Sequence, residues 1–137
     1  MKLAMVQMQM DTSIDRNLAK TIRYMERAAE AGADLLFFPE VQLTPFFPQY
    51  EKRDAEPWAM DLDSREIAAI RDACRRLKLC ASPNVYLKQG KLRYDASLML
   101  DADGGVMGVS KMVHIAQAKY FYEQDYYAPS DDGFKVY

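Results

Sequence analysis

The segment Asp34-Leu35-Leu36-Phe37-Phe38-Pro39-Glu40 constrains this chain more than any other stretch of it. Its apolar residues run without alternation, which predicts a strand covered on both faces, as in the sheets of α/β proteins. Pro39 removes a backbone donor and halts the strand, so Glu40 is delivered at the strand's C-terminal end. A helix pattern precedes it. Ile14, Leu18, Ile22, Met25 and Ala29 recur at helical spacing, with Asp15 as the expected N-cap and Gly32 as the expected stop. Before the helix, KLAMVQMQM reads as another buried strand, so the chain opens strand–helix–strand.

From Val41 to Met60 periodicity gives way to prolines, aromatics and charges, a long loop of the kind that borders sites or interfaces. A second helix is predicted from Asp63, with Glu66 completing a capping box and Ile67, Ile70, Cys74 and Leu77 facing inward. LCASPNVYLK and KLRYDASLML then read as two strands joined in a hairpin at Gln89-Gly90. The turn DADGG leads to a fifth strand, VMGVSKMV, ending near Lys111. An aromatic, charged loop follows, and GFKVY is expected to begin a sixth strand. The order βαβαβββ predicts a layered α/β sandwich. Its last strand would be cut short, so the sandwich is expected to be incomplete.

With 137 residues the chain fits one domain. A net charge of −2 and the absence of a basic tract argue against nucleic acid. No apolar run approaches bilayer-spanning length and the N-terminus lacks a leader pattern, so no membrane association and a cytoplasmic location are expected. Cys74 and Cys80 lie without a CxxC motif and with a single histidine in the chain, which argues against zinc. They are expected to be small buried thiols, without a disulfide. Gly104, Gly105 and Gly108 precede no helix and so form a turn rather than a phosphate loop.

The residues able to carry chemistry are few. Glu40 reads equally well, from position alone, as a solvated loop carboxylate or as a group at the sheet edge where α/β proteins bind ligands. Lys111 ends a strand and reads as a solvated edge charge or a functional cation. His114 has no partner pattern around it, and packing is its simpler reading. Glu123, set among aromatics in YFYEQDYY, is either an exposed acid or a buried carboxylate that orients a neighbour.

Taken together, these segments resemble the nitrilase superfamily of carbon–nitrogen hydrolases. EAGADLLFFPE is similar to its signature ending in Pro-Glu, LRYDASLMLDADGGVMGVSKMVHI to its strand–turn–strand, and FYEQDYYAPSDDGFKVY to the stretch after it. The resemblance covers nearly all 137 residues and implies the N-terminal half of a nitrilase-like αββα sandwich. It also implies a Cys-Glu-Lys triad, with Glu40 as the catalytic glutamate, Lys111 as the lysine and Glu123 as a supporting acid. Implied substrates are small linear amides or N-carbamoyl amines, with no metal or organic cofactor and a homo-oligomer in the complete protein. Two departures stand out: Asp95 replaces the asparagine common after the strand tyrosine, and HIAQAKYFYE lacks the usual proline. The family's nucleophilic cysteine would lie beyond Tyr137, and neither Cys74 nor Cys80 matches it. Residues 1–137 alone are therefore expected to be inactive. The other reading is a non-catalytic half-domain that serves assembly or interaction.

Overall fold

A computed structural model describes residues 1–137. Six strands form one mixed sheet: β1 (Leu3–Met5), β2 (Leu35–Phe37), β3 (Cys80–Ser82), β4 (Asn84–Gln89), β5 (Leu92–Leu100) and β6 (Val106–Lys111). β1, β2 and β3 are parallel neighbours, with Leu3 beside Leu35 and Leu35 beside Cys80. The rest is antiparallel. β3 and β4 share one register against β5, Ala81 opposite Leu100 and Asn84 opposite Ser97, while β6 pairs with β5 along its other side. The single strand expected from LCASPNVYLK is thus continuous in register but divided at Pro83, which has no N–H to give the ladder.

Two helices, α1 (Ile14–Glu30) and α2 (Arg65–Leu77), cover one face of this sheet. Ser13, not Asp15, caps α1 by accepting from Arg16 N; Asp15 falls in the first turn, where its charge favours the helix dipole. Likewise Ser64, one residue after the expected Asp63, caps α2 by accepting from Ile67 N. Met25 of α1 and Ile67 and Ile70 of α2 are fully buried against Leu36, Val85, Leu87, Ala96, Leu98 and Leu100. Each such aliphatic side chain contributes roughly 1.5–3 kcal/mol of transfer free energy. The expected hairpin forms with a two-residue loop, Gly90-Lys91, whose Gly90 has φ 57°.

The opposite face of the sheet differs along its width. Over β4 and β5 the long loop and the C-terminal aromatics build a second core, in which Phe47 packs against Trp58, Tyr86, Tyr126 and Tyr127. Over β1 it is open: Leu3 and Met5 are 52% and 86% exposed. This corrects the expectation of a strand buried on both faces, because the apolar run has cover from the helices alone. GFKVY is not a strand either. It makes no ladder hydrogen bonds, and Phe134 and Val136 stand in solvent. No helix is long and apolar enough to cross a membrane.

Candidate active site

Strand β2 runs between β1 and β3, and Phe38 N donates to Ser82 O one step beyond it. Pro39 then ends the ladder and Glu40 enters a turn at the C-terminal edge of the parallel strands. Val41 follows with φ 41°, a left-handed conformation that is strained for a β-branched residue. Two buried asparagines hold this turn. Asn17 of α1 donates to Leu43 O at 2.9 Å, and Asn84 Oδ1 accepts from Val41 N at 2.6 Å.

Asn84 is the hub of the site. Its backbone N–H donates to Gln42 Oε1, and its Nδ2 donates to Asp95 Oδ1 at 2.6 Å and to Ser97 Oγ at 3.1 Å. Asp95 is 4% exposed. The register accounts for this placement: Asp95 lies opposite Tyr86 on β4, on the face carrying the aromatic core, whereas Tyr94 and Ala96 face the helices. Glu40 approaches Asp95 closely enough for their carboxyl groups to hydrogen-bond, with Glu123 near enough to act on it electrostatically. Glu123 is buried at the start of a 3-10 turn (Glu123–Asp125), where its Oε2 accepts from Ala116 N at 3.1 Å. The buried hydroxyl of Tyr127 completes the group.

Burial first, then the charge and hydrogen bond of Asp95, push the Glu40 carboxyl up to about 8. Asp95 is also raised by burial, against the stabilising hydrogen bond from Asn84. Tyr127 is raised by burial and by the surrounding carboxylates. Asp95 lines an adjoining cleft of about 390 Å³, shared with Ser97, Ser110, Met112 and His114. Tyr127 lines a second of about 470 Å³ with Val113, His114 and Gln124. His114 is exposed, its ring 6.3 Å from that of Phe134. No group of His, Cys, Asp or Glu side chains is arranged to hold a metal ion.

Of the three residues to which the resemblance gives roles in the site, the structure brings together Glu40 and Glu123 and leaves Lys111 apart. Lys111 pairs with Ala96 in the β5–β6 ladder, and alternation sends its side chain to the helix-covered face. Its ammonium lies 3.0 Å from Asp132 Oδ2 and 4.5 Å from the centre of the Tyr94 ring, although the residue also lines the cleft. The Asp132 carboxylate holds the ammonium in its charged form. This register sets the Lys111 ammonium apart from the carboxylates, at the edge of the cleft that Asp95 lines. Met112 continues the ladder beside Asp95, its N–H donating to Asp95 O, so the neighbouring position on the site face has no charge.

Neither cysteine joins the site. Cys74 is buried on α2, its thiol pushed up to about 12 by desolvation, and Cys80 is a half-buried residue of β3; both are free. Asn84, Asp95 and Tyr127 escaped the sequence reading as a set. The signal available was Asp95 itself, an acid in a strand whose alternate residues are apolar.

A mixed sheet with helices on one face and a cluster of buried carboxyls at the strand ends defines an α/β protein with titratable groups gathered at its sheet edge. The chain belongs to the carbon-nitrogen hydrolase family, which matches residues 2–137. It is 27% identical to a citrullinase of Francisella tularensis, covering 99% of this chain and 48% of the relative. It is 24% identical to an N-carbamoylputrescine amidase of Solanum tuberosum, covering 98% and 45%. The crystal structure of a carbon-nitrogen hydrolase from Helicobacter pylori superimposes with a TM-score of 0.89 at 21% identity, over 96% of this chain and 46% of that one. The chain thus spans about half the length of the curated relatives it matches.

Proposed function

We propose that residues 1–137 supply the proton-transfer half of an enzyme that hydrolyses a non-peptide carbon–nitrogen bond in a small linear amide or N-carbamoyl amine. The observation that carries this reading is the Glu40 carboxyl, held at the end of β2 in a cluster that raises its proton affinity to about 8. A general base works best with an affinity near the operating pH, and burial is the usual means of raising a carboxyl to that range.

The reaction needs a thiol, which this reading places outside residues 1–137. Glu40 as carboxylate takes the thiol proton, and the sulfur attacks the carbonyl carbon. The carbon–nitrogen bond then breaks, and Glu40 returns its proton to the departing nitrogen. Water, losing a proton to Glu40, attacks the thioester and releases the acid and the thiol. Glu123 orients the base from its anchored position beside it. The oxyanion formed at each attack needs donors, while the Lys111 ammonium is held against Asp132 and the Tyr94 ring. The names of a citrullinase and an N-carbamoylputrescine amidase among the relatives point to ureido substrates.

The purified protein containing residues 1–137 and a downstream thiol is to be assayed for ammonia release from citrulline, from N-carbamoylputrescine and from a short linear amide. Turnover of at least one, lost by 10²-fold or more in Glu40→Gln, is the expected result. No turnover of any of the three would overturn the reading.

A second reading, a non-catalytic domain acting as an assembly partner, is favoured by one observation: Met112, not a cation, stands beside Asp95 on the site face. The same assay separates the two, since that reading expects no ammonia.

A further inference from the structure

Two carboxyl groups in contact inside a protein pose a problem of proton bookkeeping. Each oxygen of an ionised carboxyl is an acceptor, so two ionised groups cannot hydrogen-bond to one another; one proton must lie between them. Around Glu40 and Asp95 few donors are available, and the buried Gln42 Nε2 makes no hydrogen bond to either carboxyl. Asn84 Nδ2 is committed to Asp95 Oδ1 and to Ser97, and Asn84 N to Gln42. Asp95 Oδ2 and Glu40 Oε1 are both buried and receive no hydrogen bond from any protein group. The Tyr127 hydroxyl, also buried, donates to neither. The ammonium of Lys111 is turned to Asp132 on the other face.

We propose that Asp95 is a positioning residue for Glu40: the two carboxyls share one proton, along a hydrogen bond whose far end Asn84 fixes. The inference rests on reading Glu40 as the base. Glu123 faces the pair from its 3-10 turn and Tyr127 from the segment after it. His114 and Lys111 line the cleft that Asp95 also lines, with the Lys111 ammonium paired to Asp132. No cation is ion-paired to either carboxyl, the Lys111 ammonium being taken by Asp131 and Asp132, so the shared proton is left to neutralise the cluster. The high proton affinity of Glu40 follows from this arrangement, since the bound proton relieves both desolvation and the repulsion from Asp95.

The consequence for the reaction is specific. Glu40 acts as a base once the pair has lost its shared proton. On taking a proton from a thiol or from water it regains the hydrogen bond, and its acid form is given a fixed direction by donating to Asp95. When the pair loses its proton the contact becomes repulsive and Glu40 is driven from Asp95. Asp95 forms and breaks no bond to substrate; it acts through Glu40.

The direct test is carboxyl ¹³C NMR of protein labelled at Asp and Glu, titrated between pH 3 and 10, for the wild type and Asp95→Asn. In the wild type, Glu40 is expected to titrate near pH 8, with an inflection of the Asp95 signal at the same pH, because the two report one proton. In Asp95→Asn the Glu40 midpoint is expected to fall towards the ordinary glutamate range, since an amide donates to the carboxylate and carries no charge. Independent titration of both wild-type residues in the ordinary carboxyl range would overturn the proposal. So would a Glu40 midpoint unmoved by Asp95→Asn. If that variant fails to fold, the common inflection in the wild type decides alone. Hydrolysis is scored separately. A shared titration without ammonia release would sink the hydrolase reading and leave the proton-sharing pair standing. Ammonia release with ordinary titrations would do the reverse.

Discussion

Lys111 lies opposite Ala96 in the β5–β6 ladder, while Asp95, one residue along β5, faces Glu40. Side chains alternate across a strand, so this register decides which of the two sheet faces receives a charge. The ammonium goes to the helix-covered face, where the Tyr94 ring and Asp132 take it.

Replacing Lys111 by alanine tests that register. The interactions lost are a cation–π contact and two salt bridges to the exposed acids Asp131 and Asp132, together worth about 1 kcal/mol. We expect a small drop in unfolding free energy and less than a tenfold change in kcat/KM for whichever substrate is turned over. A fall of 10²–10³-fold in kcat, the loss typical of an oxyanion donor, would instead give Lys111 the role the sequence resemblance implied.

Asn84 joins the strained turn to the carboxyl pair, so Asn84→Ala should cost more than its size suggests. It leaves the Val41 N–H and Asp95 Oδ1 without their partners in a buried setting. Each stranded group costs about 1–3 kcal/mol. Urea unfolding is expected to show a loss of at least about 2 kcal/mol. A loss below about 0.5 kcal/mol, as for an ordinary surface change, would mean that the turn after Glu40 holds its shape without Asn84.

Stability should also record the proton on Glu40. Between the ordinary glutamate range and about pH 8, the unfolded chain has released this proton and the folded chain retains it. The folded state binds more protons, so its stability falls as pH rises through that window and the contribution levels off above it. Exposed acids held below their usual range, such as Asp103 and Asp132, act in the opposite sense at lower pH. The decisive quantity is therefore the difference between wild type and Glu40→Gln, measured as Tm from pH 5 to 9. Wild type should lose Tm relative to the variant as pH rises towards 8. Parallel curves would show that Glu40 titrates as an ordinary carboxyl.

Much of this architecture was legible in the sequence because it rests on local signals. The periodicity of α1 and α2, the Gly90 turn and the Pro39 stop all act within a few residues, and all appear close to where the pattern puts them. The caps slipped because both helices offer adjacent acceptors: Ser13 and Ser64 lie within two residues of Asp15 and Asp63, and composition does not choose between them. KLAMVQMQM misled because an apolar run shows that a face can be buried, not that a partner covers it. The site was half legible. Glu40 and Glu123 stood out as acids in apolar or aromatic surroundings. The orientation of Lys111 depends on pairing with Ala96, fifteen residues away, and a shift of one residue would have reversed its face.

That same reversal suggests a gain-of-function variant. Met112 continues the ladder beside Asp95 and lines the cleft that Asp95 also lines. Met112→Lys would place an ammonium on the site face, with a four-carbon stem similar in length to the side chain it replaces. An opposite charge within about 4–6 Å favours the ionised carboxyl by one to three pKa units. We therefore expect the Glu40 titration to fall from about 8 by at least about one unit in this variant. Met112→Leu, which keeps the volume and adds no charge, should leave it unchanged. In the hydrolysis assay the pH at half-maximal rate should move down with the Glu40 midpoint, because the base is then ionised at lower pH. An unshifted Glu40 signal in a folded Met112→Lys protein would show that residue 112 does not reach the carboxyls, and the face assigned to it from the ladder would be wrong.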